Sequence, residues 1–389
     1  MKCNFDEVID RKGTSAIKLE GLKEFWGRTD LIPLWVADMD FATAPFVTEA
    51  IRNRCDNPVL GYTAKPDSYY QAIIQWNKVR YGLEVEKEMI NFVPGIVPGI
   101  GMALNAFTEK GDKVMIQPPV YGPFSWLNTR NGRTLVNNPL KLVDGMYRMD
   151  MEAFREQIKG CKVFIFCNPH NPGGVVWKEE ELQEVAEICY EEGVLVFSDE
   201  IHADLTLPPH KHRPFAMISE KARMNCVTFM SPSKAFNMPG LTASHALIFN
   251  PELLAKFRTF MEACELDLGH VFAFLAVEAA YSNGTEWLDQ CLAYIQGNID
   301  YVDEFTKQNT PKIKVIHPQA SYLVWLDCRE MNLGQKSLND FFVDKAHLAL
   351  NDGTTFGMEG RGFMRLNVAS PRSVLEQAMK QLAEAYASL

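Results

Sequence analysis

Apolar and polar positions follow two rhythms along the middle of the chain. The apolar run from Cys161 to Cys167 stops at Asn168-Pro169 and predicts a short buried strand. Across residues 179–192, Leu182, Val185, Ala186, Ile188 and Cys189 recur at helical spacing, with Gly193 as the stop. Val194 to Ser198 predicts a second buried strand. Strand, amphipathic helix and strand in that order make a βαβ unit, which requires parallel pairing and helices on the faces of the sheet. Upstream, residues 99–107 read as a helix and 113–117 as a strand; downstream, 226–230 read as a strand and 251–308 as mostly helical. The last part differs. Residues 321–326 and 362–368 are strand-like, and a final helix follows. That helix opens on Ser373-Val-Leu-Glu376, a capping-box pattern, and carries Leu375, Met379, Leu382 and Tyr386 as an apolar stripe. The expected fold is α/β: a mostly parallel sheet flanked by helices in a large domain at residues 45–285. A smaller α+β domain would be built from 286–389 together with an N-terminal arm, 1–44.

Composition narrows the function. The chain has 389 residues, 47% hydrophobic and 23% charged, an ordinary globular mix long enough for two domains. A formal net charge of −10 argues against nucleic acid as a partner, because tracking phosphates needs clustered Lys and Arg. No apolar run is long enough to span a bilayer, and the one from Val271 to Val277 ends at Glu278. The first residues show no signal-peptide pattern. The nine cysteines are scattered without a Cys-x-x-Cys pair, which points away from disulfides and zinc and towards a reducing cytoplasm.

Residues able to carry chemistry fall just past the predicted strands, where open α/β sheets bind ligands. Lys234 follows 226–230, Asp199 follows 194–198, Asn171 follows 161–167, Tyr121 follows 113–117, and Ile96 and Val97 precede the helix at 99–107. A pyridoxal phosphate site needs this inventory. A lysine binds the aldehyde, a carboxylate keeps the pyridine nitrogen protonated, an aromatic ring covers the cofactor, and a helix N-terminus cradles the phosphate. His210-Lys-His212 has no third ligand nearby and reads as a loop, and Gly99-Ile-Gly101 lacks the rest of a dinucleotide fingerprint.

Seven segments, in order, carry a resemblance: Leu34 to Phe41, Gly61-Tyr-Thr63, Pro118 to Phe124, Asn168 to Gly174, Ser198 to Leu205, Ser231 to Leu241, and Gly362 to Asn367. Together they span nearly the whole chain. The sequence resembles the fold-type I pyridoxal-phosphate enzymes, and within them the cystathionine β-lyase-like carbon–sulfur lyases of the class I/II aminotransferase group. The resemblance implies that Lys234 holds the cofactor covalently and then acts as base on the substrate Cα proton. It gives Asp199 the pyridine nitrogen, Asn171 the ring hydroxyl and Tyr121 the ring face. Ile96 and Val97 would offer backbone amides to the phosphate, and Ser231 and Ser233 hydroxyls, although each serine also fits an ordinary turn. Tyr62 would reach the phosphate from a second copy of the chain, implying a homodimer with composite sites. Arg365 would fork onto the substrate α-carboxylate; Arg372 reads as structural.

Two departures from the pattern stand out. Where many aminotransferases carry a tyrosine three residues past the aspartate, this chain has His202, readable as a buried neutral donor or as a satisfied core histidine. Where many relatives carry Arg or Lys eight residues past the lysine, it has Thr242. The resemblance implies α,β-elimination from cystathionine or cysteine-like amino acids to pyruvate, ammonia and a thiol. Transamination uses the same residues and is the alternative. A non-catalytic binding protein on the same scaffold is a third reading, which the intact Lys234, Asp199 and Asn171 oppose.

Overall fold

The computed structural model of the chain describes residues 2–389. Seven strands form the main sheet: β1 (Ile90–Val93), β2 (Lys113–Ile116), β3 (Thr134–Asn137), β4 (Cys161–Cys167), β5 (Leu195–Asp199), β6 (Cys226–Met230) and β7 (Ser244–Leu247). Their spatial order is β1-β7-β6-β5-β4-β2-β3. β7 is antiparallel to both its neighbours, and every other pair is parallel. Every residue of β5 and β6 is buried. Helices cover both faces of these strands, which is why the sequence shows unbroken apolar runs there rather than alternation.

The two faces have separate apolar cores. On one, α1 (Ile96–Phe107) and the helix Pro251–Ala263 pack over Val163, Phe197, Val227 and Phe229. On the other, Phe164, Phe166 and Val196 meet Leu182 and Val185 of α2 (Glu179–Glu191). This second core runs on into a four-stranded antiparallel sheet through Trp325 and Leu366. That sheet consists of β8 (Lys314–Ile316), β9 (Leu323–Asp327), β10 (Asn351–Asp352) and β11 (Phe363–Asn367), in the order β8-β9-β11-β10. Ile32–Pro33 pairs in parallel with Leu348–Ala349 and ties the N-terminal segment to it. Two long helices, α3 (Thr285–Asn309) and α4 (Arg372–Ala387), pack together beside this sheet. Leu375, Met379 and Leu382 of α4 are buried and Tyr386 is half-buried, as the apolar stripe predicts. Among the described residues no helix is long and apolar enough to cross a membrane.

The α/β class and the mostly parallel sheet follow the sequence expectation; several boundaries do not. β4 and β6 have the expected limits, but β5 is displaced by one residue, so Asp199 is the last residue of the strand rather than the first beyond it. β9 starts two residues later than expected. α1 starts at Ile96, three residues before Gly99. Its N-cap is Gly95 at φ +111°, a backbone state that glycine tolerates and side chains resist. Pro98 sits in its first turn, where a missing N–H costs no intrahelical bond. The capping box at Ser373 does not form. Pro371 takes the N-cap position, and the Arg372 N–H donates instead to Tyr294 Oη at 2.8 Å.

Gly99 sets how closely α1 lies on the sheet. A Cβ there would come within 2.9 Å of Val93 Cγ2 and 3.2 Å of Phe229 Cε1. Alanine favours a helix by about 1 kcal/mol over glycine, but displacing two buried neighbours costs ~1–3 kcal/mol. Gly99→Ala is therefore expected to lower the melting temperature in calorimetry, by about 1–3 °C. A rise would show that the contact relaxes freely.

Candidate active site

The C-terminal ends of β2, β4, β5 and β6 open onto a cavity of about 290 Å³, near the lower bound of small-molecule sites at ~300 Å³. Its floor is Asp199, paired in register with Cys167 of β4 and Phe229 of β6 at the middle of the sheet. The carboxylate is 4% exposed, and its one hydrogen bond among the described residues is from the Ile201 N–H to Oδ1 at 3.1 Å. Burial pushes its pKa up to about 7; that N–H pulls the other way, Glu200 adds to the rise and Lys234 opposes it. A carboxylate placed so needs a cation within reach to ionise comfortably.

Lys234 lines the same cavity and donates from Nζ to the Ala37 carbonyl at 2.6 Å. Burial, then the nearby Arg365 charge, pulls its amine down to about 8, while Asp38 and Asp199 oppose them. The amine is thus half neutral near pH 8, where an ordinary lysine is almost wholly charged, and the neutral form is the one a nucleophile or base needs. His202 also lines the cavity and is buried. Burial lowers its pKa to about 3, with the Lys234 and Arg365 charges adding to that, so it is neutral. Among the described residues its buried Nδ1 has no hydrogen-bond partner.

Opposite, Gly95, Ile96, Val97 and Pro98 bring the start of α1 to the cavity wall. Ile96 and Val97 carry the first amides of the helix, which have no intrahelical acceptor; Pro98 has none to give. The positive end of the helix dipole adds to them. Tyr121 forms another wall, its ring edge-on to Phe124 at 5.8 Å between centroids. Asn171 and Ser233 also line the cavity.

Three expected residues stand elsewhere. Arg365 on β11 is 5% exposed and sits one hydrogen bond behind the cavity. Its Nη1 donates to Asn171 Oδ1 at 3.2 Å and its Nη2 to Trp35 O at 3.1 Å and Asn351 Oδ1 at 2.7 Å, while its Nε is buried without a partner. Because the guanidinium takes Oδ1, the Asn171 amide is left with its two N–H donors to offer. Ser231 does not line the cavity. Its hydroxyl donates to Ala243 O at 2.6 Å and accepts from the Ser233 hydroxyl at 2.9 Å and the Ser233 N–H at 3.1 Å, a turn role that orients Ser233. Tyr62 is fully exposed and does not line the cavity of its own chain.

Sequence reasoning missed Ala37 as the acceptor for Lys234, although it lies in the flagged segment 34–41. Thr242, noted as a departure, does line the cavity. His212, read as part of a loop, is buried and pairs with Glu200 Oε2 at 2.7 Å. Arg372 is structural as expected, donating to Asn298 Oδ1 at 2.9 Å and Gly297 O at 2.7 Å. Among the described residues no group of His, Cys, Asp and Glu could hold a metal ion.

The residues fit pyridoxal phosphate. A buried, poorly solvated carboxylate, an orphaned histidine nitrogen, a low-pKa lysine and unpaired helix amides face one cavity of suitable size. Comparison with known proteins agrees. The family model for aminotransferase class I and II matches residues 29–382. The cystathionine β-lyase PatB of Bacillus subtilis is 41% identical over 98% of this chain and 99% of its own length. A pyridoxal-phosphate-bound candidate aminotransferase from Clostridium difficile 630 superposes with a TM-score of 0.97, at 38% identity over 99% of this chain and 100% of that one. The pyridoxal-phosphate-bound C–S lyase of Staphylococcus hominis gives 0.93, at 35% identity over 99% and 98%.

In cofactor-free protein the Asp199 carboxyl titrates near 3.8 when unfolded and about 7 when folded. Its ionisation therefore costs nothing below the lower value, costs more as pH rises between the two, and reaches its full cost above the upper one. Asp199→Asn keeps an acceptor for Ile201 and removes that cost. The variant is expected to match wild type in stability at pH 4 and to exceed it at pH 8, by on the order of 3 kcal/mol in denaturant titrations. An equal difference at both pH values would show that Asp199 is not ionised against its surroundings.

Proposed function

The chain belongs to the class I and II aminotransferase family, and from that premise we propose that it is a pyridoxal-phosphate-dependent carbon–sulfur β-lyase. Its substrates are cystathionine and cysteine-like amino acids, and its products are pyruvate, ammonia and a thiol. The observation that carries the reading is the pairing in one cavity of a lysine amine held near neutral pH with a buried carboxylate. The choice of lyase over aminotransferase is supported by the segment from Trp35 to Phe41, by Asp-Glu-Ile-His at 199–202, and by full-length similarity to a cystathionine β-lyase.

When bound, the cofactor supplies an electron sink for the pair left on the substrate Cα. The residues do the rest. Lys234 anchors the cofactor, and its freed amine takes the Cα proton. Asp199 keeps a proton on the pyridine nitrogen, and this cation is the partner its buried charge needs. Asn171 donates to the ring hydroxyl, with His202 as a neutral neighbour, and Tyr121 covers the ring. The amides of Ile96 and Val97 and the Ser233 hydroxyl, steadied by Ser231, hold the phosphate. Arg365, one hydrogen bond behind Asn171, is the cation that receives the substrate α-carboxylate. The C–S bond breaks with its electron pair on sulfur, Lys234 returns its proton to the leaving thiolate, and one water is consumed as pyruvate and ammonia are released.

A second copy of the chain completes the site. Tyr62, Val59 and Leu60 are all exposed on one segment, an apolar surface suited to burial between copies. The division into a large domain at 45–285 and a small one from 1–44 and 286–389 belongs to the same reading. So does a cytoplasmic location, supported by nine free cysteines.

Incubated with L-cystathionine and no keto acid, the cofactor-bound protein is expected to release pyruvate and a thiol in equal amounts. Absence of pyruvate, with conversion of the cofactor to its pyridoxamine form by an amino acid, would establish transamination. A protein that never gains the visible absorbance of bound cofactor would be a binding protein. Lys234→Ala is expected to lose that absorbance and to slow turnover by roughly 10²–10⁴-fold, the usual contribution of a general base.

A further inference from the structure

Residues 34–41 cross the site as an extended strap; the Asp38 and Asp40 carboxylates pair with Arg11 and Lys18, and a row of its carbonyls accepts from side chains of distant elements. Trp35 O accepts from Arg365 at 3.1 Å. Val36 O and Asp38 O both accept from Asn367 Nδ2 at 2.6 Å. Asn237 Nδ2 serves Met39 O at 3.1 Å and Phe41 O at 2.7 Å. Ala37 O, in the middle, takes two donors: Lys234 Nζ at 2.6 Å and Tyr322 Oη at 2.9 Å. A carbonyl oxygen has two lone pairs, so this acceptor is full.

Tyr322 immediately precedes β9, is completely buried, and its ring packs edge-on to His202 at 6.5 Å. Burial holds its phenol well above the usual tyrosine pKa, with the Asp38 charge adding to that. It therefore keeps its proton at any working pH and is a permanent donor. Nothing in the reaction outlined above uses it.

We propose that Tyr322 is a positioning residue for Lys234: it occupies half of the Ala37 carbonyl, and so fixes where the free amine rests and weakens the hold of that carbonyl on the charged form. The inference rests on the reading of Lys234 as the base. A neutral amine that donates one N–H to Ala37 O keeps its lone pair for the substrate Cα proton. An ammonium would gain more from an undivided carbonyl, and the O–H dipole of Tyr322 denies it that gain. The other groups facing Lys234 are Arg365 from β11, Asp38 from the strap, Asp199 from β5, neutral His202 and the phenol of Tyr121. All of them are unchanged in a Tyr322→Phe variant.

The test needs no substrate. In cofactor-free protein, the pH dependence of Lys234 acetylation, read by mass spectrometry, gives the amine pKa. Tyr322→Phe is expected to raise it by about 0.5–1 pH unit, the scale of one hydrogen bond. In cofactor-bound protein the same variant is expected to reduce kcat roughly 10-fold while KM stays within ~2-fold, and to enlarge the isotope effect of a Cα-deuterated substrate. A folded variant with unchanged Lys234 titration and isotope effect would overturn the proposal, whatever its melting temperature. Should Tyr322→Phe not fold, 3-fluorotyrosine at position 322 keeps the shape with a stronger donor and is expected to lower the Lys234 pKa; no shift would overturn the proposal equally. Wild-type protein that titrates as described but makes no pyruvate would refute the lyase reading and leave this inference standing.

Discussion

A carboxylate buried at the end of the central strand governs this site. Asp199 lies between two parallel strands, and among the described residues one backbone N–H is its only hydrogen-bond donor. Such a group is costly in isolation. Its surroundings make chemical sense if a protonated ring nitrogen lies against it. In the proposed reading the helix amides of Ile96 and Val97 would take the phosphate, Lys234 the aldehyde and Asn171 the hydroxyl. The sheet is the instrument that does this, because parallel strands deliver their C-terminal ends to one edge.

Much of this was legible in the residue pattern. Apolar runs marked β4 and β6 to the residue, since strands buried on both faces leave no ambiguity of period. The inventory of Lys, Asp, Asn and Tyr past successive strands pointed to one edge before any coordinates did. The errors have local causes. α1 begins at Gly95, a residue that caps through backbone freedom rather than through a side-chain oxygen, so no Ser, Thr, Asp or Asn announces it. At Ser373 the pattern was present, but Pro371 had already set the start of the helix. A one-residue shift in β5 moved Asp199 from a loop into the strand, which makes it more rigid than a loop residue would be.

What remained illegible is what the chain brings together over long separations. Ala37 lies 197 residues from Lys234 and 285 from Tyr322, and no periodicity links them. The resemblance pointed to Arg365, but not to the burial of β11 along its whole length or to the partners that hold the guanidinium. Its guanidinium reaches the cavity through Asn171, so one arginine sets the orientation of an amide. The buried pair of His212 and Glu200 spans only 12 residues but was hidden too, because a loop histidine becomes structural only when the chain just past β5 turns its carboxylate inward.

The strap at 34–41 also bears on how such a site can diverge. Its contacts with Lys234, Tyr322, Arg365 and Asn367 are made by main-chain oxygens, which every amino acid carries alike. Substituting position 37 therefore leaves the acceptor in place, and selection can act on it only through the side chains that reach it from other elements. The acceptor is inherited with the path of the backbone, and the freedom to retune the base lies in residues such as Tyr322, far from it in the chain.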